Sequence, residues 1–227
     1  MLTQKMTDPK TIPSDAEAII PLPNYSYCFA KRAIDLFSSV VLLAVLSPLL
    51  LLTAILIKIE NPRASVFYKQ LRTGKNGVPF YCYKFRTMIP DADRMRNNSD
   101  LLAMNEMDGP VFKIRNDPRV TNLGRVLRRL SIDELPQLRC TLLGEMSLVG
   151  PRPLPVAEAA ACNERQKLRE LVKPGCVCYW QVSGRNEISF EQWMELDIKY
   201  VHEMSFRTDF MILLKTIPAV FSKKGAY

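Results

Sequence analysis

The stretch AIDLFSSVVLLAVLSPLLLLTAILI, residues 33 to 57, decides how the rest of the chain must be arranged. It is apolar apart from one acid, one proline and four hydroxyl residues. As a straight helix it would be about 37 Å long, which is enough to cross the hydrocarbon core of a bilayer. The sequence therefore predicts a membrane helix close to the N-terminus.

Basic residues flank this segment on both sides, as Lys31, Arg32, Lys58, Arg63 and Lys69. Short flanks rich in lysine and arginine stay on the cytoplasmic side of a membrane. This distribution places both ends of the segment in the cytoplasm and opposes a simple crossing.

Ser47 and Pro48 lie in the middle of the segment. Proline removes a helix hydrogen bond and permits a sharp bend, and the serine hydroxyl can bond the carbonyl that is freed. Together with the flanking charges, this predicts a re-entrant helix hairpin that enters and leaves by the same face. A kinked spanning helix is the alternative, because proline is common in such helices. The polar residues Glu60-Asn61-Pro62 that follow argue against a cleaved signal peptide.

The chain has 227 residues, a formal net charge of +8 and a pI of about 9.2. Its length suits one domain with an appendage. The positive charge is concentrated between Lys58 and Arg86, where seven basic residues face Glu60 alone. A basic stretch directly after an apolar segment is typical of a membrane-surface contact, with nucleic acid as the second interpretation. Because no signature of a nucleic-acid-binding fold occurs, we expect no nucleic-acid partner.

The six cysteines are scattered without a C-x-x-C pair, and His202 is the single histidine. The ligand spacing that zinc sites use is therefore missing. Buried, reduced thiols are the expected state. Cys176 and Cys178 are the alternative candidates for a redox pair, although dithiol motifs use a different spacing.

The predicted fold class is α+β and mostly helical, with one small β-hairpin or sheet. Residues 65–70 and 79–86 are rich in Val, Phe and Tyr and flank a glycine-containing turn, which predicts the hairpin. Helical spacing predicts helices over residues 91–107, 123–130, 135–143, 155–172, 190–200 and 206–221. The last is amphipathic, and we expect it either in the membrane interface or packed on the domain.

These patterns divide the chain into three parts. Residues 1–26 are predicted to be a flexible cytoplasmic tail, residues 27–60 the re-entrant membrane helix, and residues 61–227 a cytoplasmic domain with amphipathic helices on its surface. Trp193, Leu196 and Tyr200 share one helix face, which we interpret as core packing.

Asp133 and Glu134 stand side by side between Arg128-Arg129 and Arg152. A carboxylate pair bracketed by arginines suits phosphate chemistry. Aspartate serves as a nucleophile in phosphoryl transfer, glutamate can help to hold a divalent ion, and guanidinium forks neutralise phosphate oxygens.

The same segment has a structural interpretation. Ser131 to Glu134 fits the S-x-x-E capping box of a helix start. Pro136 weakens this interpretation, because it disfavours the helical conformation of Leu135 and cannot donate to the carbonyl of Ile132. From these residues alone both interpretations stay open, and a helix start is itself an anion site.

Several of these residues belong to an ordered series of short motifs. The series is Ser47-Pro48, Lys84-Phe-Arg-Thr-Met88, Asp117-Pro-Arg119, Leu127-Arg128 to Leu138, the segment from Gly144 to Pro153, and Trp180-Gln-Val-Ser-Gly-Arg-Asn186. Over residues 27–227 the chain resembles the bacterial sugar transferases, or monotopic phosphoglycosyl transferases, which begin glycan assembly on undecaprenyl phosphate. The resemblance implies a location at the cytoplasmic face of the bacterial inner membrane, with UDP-sugar, undecaprenyl phosphate and membrane lipids as partners.

The resemblance also implies residue roles. Asp133 would attack the sugar-linked phosphate of a UDP-sugar, releasing UMP and leaving a phosphosugar on the enzyme. Glu134 would complete the dyad and serve magnesium binding or acceptor activation, and the two carboxylates are the implied ligands of Mg²⁺. Arg128, Arg152 and Arg185 would lie at the phosphate site.

The form of the Trp180 motif and the ending Gly225-Ala-Tyr227 are similar to those of enzymes that transfer galactose-1-phosphate or glucose-1-phosphate in exopolysaccharide, capsule or O-antigen synthesis. The short N-terminal tail resembles the small members that initiate exopolysaccharide synthesis. Transfer of an N-acetylated amino sugar is the alternative. One departure is Cys178, where the family usually has glycine, just before the loop that carries Arg185. A membrane-anchored basic adaptor is the non-enzymatic alternative, but it does not explain two adjacent acids among arginines.

Overall fold

The computed structural model describes residues 23–97, 99–184 and 188–222. The first helix, α1, spans Tyr25–Glu60. The helix runs without interruption through Pro48. Pro48 has no N–H group to bond the carbonyl of Ala44, four residues earlier. The hydroxyl of Ser47 donates to that carbonyl at 2.7 Å instead. The serine hydroxyl thus satisfies the freed carbonyl as expected, whereas the helix break at Ser47 and Pro48 stays a prediction. Most of the predicted tail, residues 1–22, lies outside the described residues.

The middle of α1 is apolar and exposed. Over its most apolar 18 residues the mean hydropathy is 2.9, and only 11% of them are buried. Val45 and Leu51 keep 68% and 64% of their surface exposed. By length and composition this helix is able to cross a membrane, and its exposed apolar surface indicates membrane association.

The predicted hairpin is confirmed as strands β1 (Phe67–Thr73) and β2 (Pro79–Phe85), which pair in antiparallel fashion. Tyr68 lies opposite Lys84 in the register. Side chains alternate between the two faces of a strand, so Tyr68, Gln70 and Arg72 share one face, which is less exposed than the other. This face lines the cavity described below.

A second sheet was not predicted. Strands β3 (Ser147–Val149) and β4 (Gly175–Val177) pair in parallel, with Ser147 opposite Gly175 and Val149 opposite Val177. Each strand has three residues, too few for an alternating pattern to be recognised. Past the end of β3, Gly150 touches Gly175 so closely that a Cβ atom on Gly175 would lie 2.0 Å from the Gly150 nitrogen. The expectation of one sheet is therefore wrong.

The remaining described elements are helical and mostly short. They are two short 3-10 helices (Lys75–Gly77 and Arg94–Asn97), α2 (Ser99–Ala103), α3 (Asn122–Arg129), a 3-10 helix (Ile132–Gln137), α4 (Leu138–Leu143), α5 (Val156–Ala160), α6 (Glu164–Lys167), a 3-10 helix (Leu168–Leu171), α7 (Tyr179–Val182), α8 (Phe190–Glu203) and α9 (Phe206–Ser222). The predicted α3, α8 and α9 agree with these bounds to within a few residues. Gly144, with φ 86°, ends α4 as expected.

Two predicted helices are wrong in extent. Within the segment 91–107, the described residues form a 3-10 turn (Arg94–Asn97) and the short α2 and no longer helix. The segment 155–172 is divided because Asn163 starts a new helix: its Oδ1 accepts from the N–H of Gln166 at 2.9 Å, and Gln166 Oε1 accepts from the N–H of Asn163 at 3.0 Å. This reciprocal pair is a capping box that the apolar spacing did not reveal.

The core lies between α8 and the two short strands. Trp193 and Tyr200 are buried as predicted, and the rings of Trp193 and Trp180 stack with centroids 5.0 Å apart. Helix α9 is packed on this core through Ile212, which is fully buried. Its other side leaves Phe210 61% exposed.

Both ends of α1 contact this globular part. Near the N-terminal end, Asp35 Oδ1 accepts from the N–H of Leu148 at 2.9 Å. Arg32 donates to the carbonyls of Thr141 at 2.6 Å and Leu142 at 2.8 Å, at the end of α4. The helix thus bonds the backbone of β3 and α4.

Near the C-terminal end of α1, Glu60 Oε1 accepts from the N–H of Leu123 at 3.1 Å. Ile57 is buried in one cluster with Phe85 and Leu127. Strand β2 and helix α3 therefore hold this end.

A buried polar network joins α1 to α9. The Asp209 carboxylate accepts from Lys31 Nζ at 2.6 Å and from the hydroxyls of Tyr27 at 2.9 Å and Tyr200 at 2.7 Å. The Tyr200 hydroxyl also lies 3.0 Å from the carbonyl of Val149 in β3. Three elements are therefore connected through one carboxylate.

Candidate active site

A cavity of about 350 Å³ lies beside the β1–β2 hairpin. Asp133, Glu134, Arg128 and Arg152 all line it, so the fold brings together four of the five predicted site residues. Arg185 lies outside the described residues, and its role at the phosphate site stays a prediction.

The dyad lies on the 3-10 helix Ile132–Gln137 and not at the start of an α-helix. Ser131 adopts the left-handed conformation, with φ 56°, and its side chain makes no capping hydrogen bond. The Glu134 side chain turns away from the backbone toward Lys84 and Arg152. The capping-box interpretation is therefore wrong, and the turn at Ser131 directs both acids into the cavity.

Three side chains donate hydrogen bonds to the carboxylate of Glu134. Lys84 Nζ and Arg152 Nη2 reach Oε1 at 2.6 Å and 2.5 Å, and Arg152 Nη1 and Gln181 Nε2 reach Oε2 at 3.3 Å each. Burial alone would raise the pKa of Glu134, but the charges of Arg152 and Lys84 outweigh it and hold that pKa well below its ordinary value. Glu134 is therefore an anion that fixes two cations at the cavity wall.

Asp133 differs in its contacts. It is buried, with 8% of its surface exposed, yet none of the described residues donates a hydrogen bond to its carboxylate or forms an ion pair with it. Burial raises the pKa of Asp133, and the positive charge of Lys84 opposes this rise while the negative charge of Glu134 adds to it. A desolvated carboxylate without partners is a suitable nucleophile for an electron-poor phosphorus atom.

Arg128 is placed by the close packing of α3 on the segment after β2. A Cβ atom on Gly124 would lie 2.1 Å from the carbonyl oxygen of Thr87, so only glycine permits this approach. Arg128 Nε then donates to Thr87 Oγ1 at 3.0 Å. Its two Nη groups bond none of the described residues and can receive phosphate oxygens. Arg129 is exposed and does not line the cavity.

Arg152 is fixed from behind. Arg169 donates to its carbonyl and forms a buried ion pair with Asp197, with Nε 3.0 Å from Oδ2. Arg72 Nη1 donates to the carbonyl of Pro153 at 2.5 Å. Because its own fork faces Glu134, Arg152 is oriented by that carboxylate.

Cys178 has extended backbone, with φ −147° and ψ 165°, which any residue adopts. Its N–H donates at 3.0 Å to Oε1 of Gln181, whose amide also binds Glu134. The departure from glycine therefore carries no backbone strain at this position. Cys176 and Cys178 are free thiols whose pKa values burial raises to about 12, so the redox alternative receives no support.

Three further residues that line the cavity had no predicted role, namely Lys84, Gln181 and Lys113. The ammonium group of Lys113 lies 5.4 Å from the centroid of the Trp180 ring, and the guanidinium of Arg152 lies 5.1 Å from the same centroid. Alternation along β2 could have singled out Lys84 as a residue facing the cavity. No local pattern identifies Lys113, which reaches the site from a loop.

The predicted metal ligands fit only in part. The described residues contain no group of three His, Cys, Asp or Glu side chains placed to hold a metal ion. Magnesium needs fewer protein ligands, because it commonly uses one or two carboxylates together with substrate phosphates and water. Asp133 has open oxygens for this purpose, whereas both oxygens of Glu134 are already occupied by cationic or amide donors.

Comparisons with known proteins identify a family and several relatives. The family model for bacterial sugar transferases matches residues 26–223. The chain is 40% identical over 230 residues to the exopolysaccharide production protein ExoY of Rhizobium meliloti, covering 99% of this chain and 98% of that protein.

Two further relatives carry more specific names. The UDP-glucose:undecaprenyl-phosphate glucose-1-phosphate transferase of Caulobacter vibrioides is 36% identical over 215 residues, which cover 91% of this chain and 75% of that one. The undecaprenyl-phosphate galactose phosphotransferase of Salmonella typhimurium is 37% identical over 202 residues, which cover 88% of this chain but 42% of that protein.

The enzyme interpretation is confirmed over the adaptor alternative, since the relatives with named activities are transferases. The family model matches nearly all of the described residues, and one relative is 40% identical over 98% of its length. The chain is an enzyme of the bacterial sugar transferase family.

Proposed function

We propose that this enzyme transfers a hexose-1-phosphate, from galactose or glucose, from a UDP-sugar to undecaprenyl phosphate and releases UMP. The reaction is the first membrane step of exopolysaccharide, capsule or O-antigen synthesis. The relatives named for transfer to undecaprenyl phosphate support the acceptor, and those named for galactose and glucose support a hexose. An N-acetylated amino sugar is the alternative donor group.

The observation that carries the proposal is the contrast between the two acids. Glu134 is occupied by Lys84, Arg152 and Gln181, whereas Asp133 has no donor among the described residues and faces the same cavity. Glu134 therefore has a structural role in the site, whereas Asp133 is available as the nucleophile.

The transfer proceeds in two displacements. An oxygen of Asp133 attacks the phosphorus that carries the sugar, the bond from that phosphorus to the UMP oxygen breaks, and UMP leaves with the electron pair. A phosphate oxygen of the lipid acceptor then attacks the same phosphorus and releases the Asp133 carboxylate. The free Nη groups of Arg128 and the cations held by Glu134 stabilise the negative charge that builds on the phosphate oxygens in each step.

We assign a bound Mg²⁺ to Asp133 together with substrate phosphates, with Glu134 acting through the cations that it holds. The ion would supply charge neutralisation between the donor diphosphate and the anionic lipid. Burial of Asp133 supports this assignment, because a nearby cation favours the ionised carboxylate that an attack requires.

We also propose that α1 is re-entrant and that the enzyme is monotopic on the cytoplasmic face of the inner membrane. A helix that spans the bilayer has only one end beside a given domain, whereas both ends of α1 contact the same one, through Asp35 and Glu60. Cysteine labelling from outside the cell at Tyr25 and Lys69, in a chain without its native cysteines, tests this topology. Labelling at either position from the periplasm would refute it.

Intact-mass measurement tests the reaction. Wild-type enzyme incubated with UDP-galactose or UDP-glucose, without lipid acceptor, should gain the mass of one hexose phosphate. Asp133→Asn keeps the shape but removes the attacking charge, so it should gain none. An adduct on Glu134, or an active Asp133→Asn enzyme, contradicts the assignment. UMP release over a panel that includes UDP-N-acetylglucosamine identifies the sugar.

A further inference from the structure

Lys113 is positioned by a loop that is built for it. Its N–H donates to Asn105 Oδ1 at 2.7 Å, and its carbonyl accepts from the N–H of Glu106 at 2.9 Å. The loop is tied to α8 because Asp108 Oδ1 accepts from the N–H of Phe190 at 2.8 Å. The backbone of Lys113 is therefore fixed relative to the catalytic core.

The side chain of Lys113 joins an unusually positive group. Lys113, Lys84, Arg128 and Arg152 interact electrostatically with one another or with the two carboxylates Asp133 and Glu134. Arg72 and Glu158 line the same cavity, and Arg72 acts on Lys84, so five cations and three carboxylates meet here. Bringing like charges together is unfavourable unless an anion compensates them, and a nucleotide-sugar diphosphate carries two negative charges.

Lys113 lies beside Trp180 and acts less strongly on Asp133 than three of the other cations do. The charges that act most strongly on Asp133 are those of Lys84, Glu134, Arg128 and Arg152, and Lys113 is not among them. Lys113 instead stands over the Trp180 ring, as Arg152 does. Two cations therefore lie beside the Trp180 ring, and one of them, Arg152, also binds Glu134.

We propose that Lys113 binds the donor phosphate that leaves with the nucleoside, while Arg128 and Arg152 serve the phosphate that Asp133 attacks. This inference rests on the proposed transfer from a nucleotide-sugar. It adds a residue that acts only in the first displacement, because the leaving phosphate is absent from the second.

The ionisation of Lys113 supports this role. Burial, followed by the positive charges of Arg152 and Lys84, lowers the pKa of Lys113 to about 7, with Glu134 opposing and Arg128 adding to the effect. An anion beside the ammonium group favours its charged form, so ligand binding should raise this pKa. Above pH 7 binding must therefore take up a proton, and affinity should fall by up to about tenfold per pH unit until the pKa of the complex is reached.

The test compares Lys113→Met, which keeps the length without the charge, with Lys113→Arg, which stays charged at every useful pH. Arg115→Met is the matched control, since Arg115 is exposed on the same segment and pairs with Glu106 at 3.4 Å. Three quantities are measured: the UMP dissociation constant by calorimetry, the rate of the first displacement without acceptor, and the rate at which added undecaprenyl phosphate discharges a preformed adduct.

Lys113→Met should weaken UMP binding and lower kcat/KM of the first displacement by at least about tenfold, corresponding to roughly 1.4 kcal/mol. Discharge of the adduct should change less than about twofold, and the control should match the wild type. Lys113→Arg should restore UMP binding and keep it constant between pH 7 and 8.5, where wild-type binding declines.

Unchanged UMP binding in Lys113→Met, or equal slowing of both displacements, overturns the inference. If the wild-type enzyme binds UMP through Lys113 but consumes no UDP-sugar, the proposed function is wrong, while the assignment of Lys113 to an anion site still holds. If Lys113→Met folds poorly, the pH profile of Lys113→Arg still tests the inference. UMP binding by Lys113→Arg that declines with rising pH as in the wild type would contradict it.

Discussion

Replacing Asp209 by asparagine tests whether the buried network between α1 and α9 holds the membrane helix in place. Asp209 accepts hydrogen bonds from Lys31, Tyr27 and Tyr200. Asparagine has one acceptor oxygen instead of two and no charge, so the buried ammonium group of Lys31 loses its counter-ion. The side chains of Lys31 and Asp209 are only 10% and 11% exposed, which limits compensation by water.

Removing one partner of a buried ion pair costs about 3–5 kcal/mol, because the other charge stays desolvated. For a domain of this size that corresponds to a fall of roughly 6–20 °C in Tm. Lys31→Met should have an effect of similar size, and the double variant should be less destabilised than the sum of the single changes. The matched control is the exposed pair Lys199 and Glu203, 3.8 Å apart, whose loss should cost about 0.5 kcal/mol or less.

Thermal unfolding in lipid nanodiscs, followed by tryptophan fluorescence, measures these effects. Trp180 and Trp193 are stacked in the core, so their emission reports on the catalytic part and not on α1 itself. If Asp209→Asn changes Tm no more than the control does, the network does not hold the helix. Strictly additive effects of the two single changes would show that Lys31 and Asp209 do not act as a pair.

Other perturbations have equally definite outcomes. Gly124→Ala should destabilise the fold and misplace α3, because its Cβ atom would lie 2.1 Å from the Thr87 carbonyl, and both Tm and UMP release report this. Ser131→Gly should keep Tm and activity, whereas Ser131→Val should lose about 1–3 kcal/mol of stability, because valine is strained in the left-handed conformation. A different order of stability among these variants would indicate a capping role. Replacing Ser47 and Pro48 together by alanine should favour a straight spanning helix and move the N-terminal flank across the membrane, as cysteine labelling would detect. Removal of divalent ions with EDTA should stop UMP release, and added Mg²⁺ should restore it.

The sequence predicted those elements whose pattern is local. The hairpin, α8 and the apolar helix each carry a periodic signal over many residues, and the structure places them where that signal lies. Asp133 and Arg152 were identified because acids and arginines cluster along the chain. Their assembly in one cavity agrees with that expectation.

The parts that the sequence did not predict depend on contacts between distant segments. The pairing of β3 with β4 joins Ser147 to Gly175, and no pattern within three residues indicates it. Lys113 reaches the site only because a loop folds onto α8. The capping-box pattern at Ser131 is present in the sequence, but the box does not form, since Lys84 and Arg152 attract Glu134 more strongly than a backbone N–H does.

The contacts between α1 and the catalytic part have a consequence for how this enzyme can diverge. Arg32 and Asp35 bond main-chain groups of residues 141, 142 and 148, so the receiving side of the joint is independent of side-chain identity. Side chains at 142 and 148 can change without breaking these bonds, whereas Thr141 is also fixed by burial and by its contact with Cys176, and the helix must retain its two charged residues. A chimera that exchanges α1 for another apolar helix would therefore dock only if the incoming helix carries an arginine and an acid three residues apart.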